Sequence, residues 1–175
     1  MKKSIALLVI LFSTLTFVFA QNPPASPRIT AESPSKNIVV KYGQPAKKGR
    51  MVFGDASSQS LEKYGKVWRT GANEATEVTF ANDVMVGGKM VKAGTYTLFT
   101  IPGAKEWSVI LNSTLGQWGA YEYDKIKGAD VAKITIPAAK TPATVEKLTI
   151  TPANNSIAIA WDDVTVSIPV MDHGK

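Results

Sequence analysis

The stretch KVWRTGANEAT, Lys66 to Thr76, sets a tryptophan, an arginine, an asparagine and a glutamate around a glycine, between segments that alternate like β-strands. Two chemistries fit those residue types. If the stretch faces a cleft, Arg69 can clamp an anion or polar ligand through its planar fork of donors, with Asn73 and Glu74 reading hydroxyls or amides and Trp68 beside them. If it faces inward, Gly71 bends the chain through a backbone conformation closed to other residues. Arg69 and Glu74 then meet in an internal ion pair beneath Trp68, and Asn73 hydrogen-bonds the loop backbone. The rule that buried charges are paired favours this second arrangement.

LGQWGAYEYD, residues 115–124, is the second cluster: Trp118 and Tyr121 stand among glycines with Gln117, Glu122 and Asp124. Aromatic faces beside amides and carboxylates suit sugar rings, which present apolar faces and hydroxyl edges. The same rings could instead cover the end of a core with their polar tips at the surface. Trp68, Arg69, Asn73, Glu74, Trp118 and Tyr121 are therefore the candidate ligand-binding residues.

Elimination narrows the reaction types. The chain has no cysteine and one histidine, His173, two residues from the end, where chains fray. Serine–histidine, cysteine–histidine and histidine–zinc sites cannot be assembled, and no phosphate loop or dinucleotide fingerprint occurs. Carboxylate chemistry survives, with Glu74 as acid and Glu122 or Asp124 as partner. Such pairs stand about 5–5.5 Å apart in retaining and about 6.5–9.5 Å apart in inverting glycosidases. WDDV, residues 161–164, offers adjacent carboxylates for calcium but falls where a hairpin turn is expected, and turn chemistry explains it more simply. Lys47-Lys48-Gly49-Arg50 reads as a short solvated basic loop. No catalytic residue, metal or cofactor is assigned.

The elements that must position these residues are strands. The chain opens with two lysines, an apolar run from Ile5 to Phe19 and Val18-Phe19-Ala20, the layout of a signal peptide cleaved after Ala20. The run is shorter than a membrane-spanning helix needs. Proline-rich residues 21–35 read as an extended leader. Alternating runs follow at 37–42, 76–80, 84–91 (a hairpin about Gly87-Gly88), 95–101, 106–112, 131–137, 145–150, 156–161 and 164–170. Trp107, Val109 and Leu111 share a face, as do Ile157, Ile159 and Trp161, and Val164, Val166, Ile168 and Val170. Only 57–65 looks able to form a helical turn. The expected fold is all-β: one antiparallel β-sandwich, jelly-roll-like or barrel-like, over residues 36–171.

The formal charge is +6, and +4 without Lys2 and Lys3; the remaining lysines are scattered, so nucleic acid is not expected as a partner. GRMVFG (49–54), YGKVWRTGANEAT (64–76), AGTYTLFTIPG (93–103), EWSVILN (106–112) and QWGAYEYD (117–124) together resemble the domain of unknown function 2911 family of exported bacterial proteins, common in Bacteroidetes. The resemblance spans about residues 26–170. It implies an exported bacterial β-domain and carries no activity with it. The reading is a periplasmic or secreted module that binds a saccharide, a peptidoglycan-like ligand or another envelope component without chemistry, with no membrane association after cleavage. A glycoside hydrolase using Glu74 and a structural envelope component stand as alternatives.

Overall fold

The computed structural model describes residues 26–172. The expected signal peptide and cleavage site, the first residues of the expected leader, and His173 lie outside them. Eleven strands form among the described residues: β1 Arg28–Glu32, β2 Ile38–Gly43, β3 Phe53–Gly54, β4 Glu62–Lys63, β5 Thr76–Phe80, β6 Val84–Val86, β7 Lys89–Val91, β8 Gly94–Ile101, β9 Glu106–Asn112, β10 Asp130–Ala153 and β11 Ser156–Asp172. Nine of them make one antiparallel sheet in the order β1-β2-β5-β8-β9-β10-β11-β6-β7, which is not closed into a barrel; β3 and β4 pair separately and in parallel.

The sheet becomes two layers because β10 serves both. Its first part pairs with β9 and the rest with β11, and register shifts between Lys140 and Val145 and between Val145 and Thr149 mark the passage. Such irregularities bend and twist a strand. The layers are then tied across. The Ile150 amide donates to the Tyr42 hydroxyl at 3.2 Å, and Gln44 donates to the Leu148 carbonyl at 3.0 Å. The short β6–β7 hairpin turns on Gly87 and Gly88, both at positive φ, as a two-residue type I′ connection requires.

The period-two faces are the ones that bury. Trp107, Val109 and Leu111, then Ile157, Ile159 and Trp161, and then Val166, Ile168 and Val170 all enter the core, with Val164 half-buried at its edge. At the centre Trp68 stacks on Trp161 with ring centroids 5.9 Å apart and presents an edge to Trp107 at 6.0 Å, while Phe53 sits edge-on to all three. An aromatic of this size withdraws about 200 Å² from water, which at ~25 cal/mol per Å² is of order 5 kcal/mol each. A smaller cluster of Phe99, Ile110, Ala75 and Tyr123 fills the other face of β8 and β9.

Four local expectations are corrected. WDDV is not a hairpin turn: β11 runs through it, and Asp162 takes positive φ within the strand. The buried positions change parity there, from odd numbers before to even numbers after, without the chain reversing. Asp162 pairs with Lys47 and Asp163 with Lys140. Second, the runs 131–137 and 145–150 are parts of one strand. Third, residues 57–65 form turns and β4, and the short α-helix is α1, Tyr123–Ile126, inside the aromatic cluster. Fourth, the expected leader supplies edge strand β1, which pairs with β2 from Arg28 opposite Gly43 to Glu32 opposite Val39.

Candidate functional site

The Lys66–Thr76 loop is held from within before it displays anything. Trp68 and Thr100 of β8 exchange backbone hydrogen bonds at 2.7 and 3.0 Å, and the Trp68 indole N–H donates to the Gly71 carbonyl at 3.1 Å. The buried Thr76 hydroxyl donates to the Thr70 carbonyl at 2.8 Å, and the Thr70 and Thr100 hydroxyls meet at 3.0 Å. Trp68 and Thr70 therefore point inward, while Arg69 between them lines the surface. Positive φ falls at Thr70 and Asn73, not at Gly71. Gly71 is glycine for a different reason: a Cβ there would lie 3.0 Å from the Gly43 carbonyl oxygen, and one on Gly43 would lie 2.0 Å from that of Ala72. The two glycines let the loop press against the end of β2.

The second loop is laced to the first. The Ala75 amide donates to the Gln117 carbonyl at 2.8 Å and the Gly119 amide to the Asn73 carbonyl at 3.0 Å. Behind them Asp130 accepts from Asn112 and from the Tyr123 hydroxyl, each at 2.7 Å. Burial, the hydrogen bond and the charge of Asp130 raise the Tyr123 phenol well above its ordinary range, so it acts as a fixed donor. Both sequence clusters thus form one edge of the sandwich.

Three adjoining clefts run along that edge. The first, about 450 Å³, is lined by Arg69, Glu62, Asn73, Lys48, Arg50 and Trp161, among others. The second, about 270 Å³, shares Ser26, Ala72 and Asn73 with it and adds Arg28, Glu74 and Trp118. The third, about 420 Å³, shares Arg28 and Glu74 with the second and adds Glu77, Lys41 and Gln117.

Among the expected site residues, Arg69, Asn73, Glu74 and Trp118 come together along this edge. Trp68 does not: it is 2% exposed, in the aromatic core. Tyr121, 77% exposed, lays its ring over Gly119 and lines none of the three clefts. The expected Arg69–Glu74 pair is absent. Glu74 bonds instead to Arg28 at 2.8 Å, with Glu77 at 3.8 Å on the same guanidinium. Glu122 and Asp124 are paired with Lys125 and Lys127. Arg69 has Glu62 as its electrostatic neighbour, its Nε is covered, and no acceptor among the described residues meets it.

Glu62, Lys48, Arg50 and Arg28 were missed. Glu62 lies in a segment that reads as a helical turn, and Arg28 in the leader. Lys48 and Arg50 belong to the basic loop read as merely solvated. Glu62 is placed by β4, whose backbone bonds to the Val52 carbonyl at 2.8 Å beside the core ring of Phe53. Burial there pushes its carboxyl up to about 7, against the opposing pull of Arg69.

No curated protein and no solved structure is detectably similar to the chain. The family described as "Protein of unknown function (DUF2911)" matches residues 25–170, nearly the whole of the described domain, and the chain belongs to it.

Proposed function

We propose that this protein is an exported, periplasmic or secreted module that binds a saccharide or peptidoglycan-like ligand without turning it over. The observation that carries this reading is the run of adjoining clefts along one edge, with the 63%-exposed indole of Trp118 at one part and the Glu62–Arg69 cleft at another. An extended polar chain can lie along such an edge, a sugar ring stacking on Trp118 while Asn73, Gln117 and Glu74 meet its hydroxyls. Two-carboxylate hydrolysis finds less support. Glu62 is the one carboxyl lining its cleft among the described residues, and Glu74 is held by Arg28.

Calorimetric titration with chitin and muropeptide fragments, run beside a hydrolysis assay, tests the reading. Wild type is expected to bind and release no product, and Trp118→Ala to bind roughly tenfold more weakly, the scale of a lost stacking contact. Turnover abolished by Glu62→Gln or Glu74→Gln in a folded variant would replace the binding module with a glycosidase. Undiminished binding in Trp118→Ala would move the site off this edge.

A further inference from the structure

We propose that the cleft between Glu62 and Arg69 is a subsite for a carboxylate carried by the ligand, gripped by Arg69 and met by the carboxyl of Glu62. The inference rests on the reading of this edge as a glycan-binding surface and specifies which glycans it takes.

The argument begins with unused donors. None of the Arg69 side-chain donors is hydrogen-bonded among the described residues, and its Nε is shut away from solvent. The terminal nitrogens, which have no acceptor of their own, can take one brought by something else, and a carboxylate matches their planar geometry. The surrounding charge agrees. Lys48 and Arg50 line the cleft from the 47–50 loop, and Arg69 from the other side, against the single carboxyl of Glu62 on β4. Arg50 is anchored by donating to the Ala46 and Lys47 carbonyls, each at 2.8 Å, so its charge is fixed in place. Three cations face one acid. The remaining lining residues, Asn73, Leu61 and the buried Trp161 among them, are neutral.

Glu62 decides which anion. As an ionised carboxylate it would repel a ligand carboxylate; protonated, it donates a hydrogen bond to one, so that two carboxyls share a proton beside Arg69. Its burial already holds the carboxyl up to about 7, which makes the protonated form available near neutrality. An incoming carboxylate raises it further. Binding therefore takes up a proton, and affinity falls as pH rises above 7.

N-acetylmuramic acid, its methyl ester, N-acetylglucosamine and free D-lactate separate the contributions, titrated calorimetrically against the purified protein from pH 6 to 8.5. At pH 6 the acid is expected to bind at least about 30-fold more tightly than its ester, the scale of one charge-assisted bidentate contact. Between pH 7 and 8.5 that preference should shrink by roughly tenfold per unit, as one coupled proton requires. Glu62→Gln should keep the preference and lose the pH slope. Arg69→Gln should lose the preference for the acid over its ester, whereas Trp118→Ala should weaken all three sugars alike. Equal binding of acid and ester, a preference that survives Arg69→Gln, or a slope that survives Glu62→Gln overturns the subsite. If D-lactate alone binds, with the Arg69 and pH dependence intact, the subsite stands and the glycan surface falls. If nothing binds, both fall. Near-ultraviolet circular dichroism of each variant confirms that its core is intact.

Discussion

At the scale of single residues, the chemistry of this edge turns on which carboxylate stands beside which guanidinium. Glu62 ionises less readily folded than unfolded, so it binds a proton more tightly in the native state. Its contribution is fully present below its unfolded value near 4.5 and is lost as pH rises through about 7. Glu62→Gln removes that dependence. It should stabilise the protein by roughly 1–3 kcal/mol at pH 8.5 and leave it nearly unchanged at pH 4, read from urea melts at both pH values. A variant no more stable at pH 8.5 would show that Glu62 is well solvated. Glu74 behaves otherwise, because its cation is Arg28 and both side chains are substantially exposed. A double-mutant cycle on Arg28 and Glu74 should give a coupling below about 1 kcal/mol. The corresponding cycle on Arg69 and Glu74 should be additive within about 0.5 kcal/mol. A larger coupling in the second cycle would restore the pairing that the sequence suggested.

At the scale of elements, the edge is assembled by backbone contacts between segments distant in sequence. Gly43 ends β2 directly against Ala72, and the Ala72 amide donates to the Gly43 carbonyl at 3.2 Å. A methyl at position 43 would collide with the Ala72 carbonyl, so Gly43→Ala should cost about 3 kcal/mol and displace the loop that carries Arg69 and Asn73. Gly65→Ala is the useful contrast. Gly65 has φ of +74° with open space around it, so only backbone strain of about 1 kcal/mol is expected there. Denaturant melts of the two variants compare the effects directly; equal costs would mean that the close approach at Gly43 relaxes freely. The positive-φ kink at Asp162 works at the same scale. It swaps the buried face of β11 between Trp161 and Val164, so one strand can fill the core on either side of the irregularity.

At the scale of the whole molecule, three of the four tryptophans form the core and one stands on the surface. Iodide should therefore quench only a minor, red-shifted fraction of the fluorescence, and Trp118→Phe should abolish that fraction while leaving the blue emission of Trp68, Trp107 and Trp161. Quenching of most of the emission would mean that the aromatic centre is open to water. Much of this architecture was legible in the sequence. A period of two makes a residue's face a local property, so the buried rows on β9 and β11 could be read directly, as could the Gly87-Gly88 hairpin and the all-β class. Strand continuity was not legible. The parity change across Asp162 is satisfied equally by a turn and by a kinked continuous strand, and only pairing with β10 selects the strand. The site divided in the same way. Arg69, Asn73, Glu74 and Trp118 could be picked out because polar and aromatic residues clustered on turn-rich segments mark a surface. Trp68 went inward and Glu62 was overlooked, because burial and ion pairing depend on which distant segments pack together. Local pattern determined the strands, their faces and the loops that carry polar chemistry. The fold across the sheet alone decided that Glu74 meets Arg28, that Arg69 faces Glu62, and that the edge between them is a cleft.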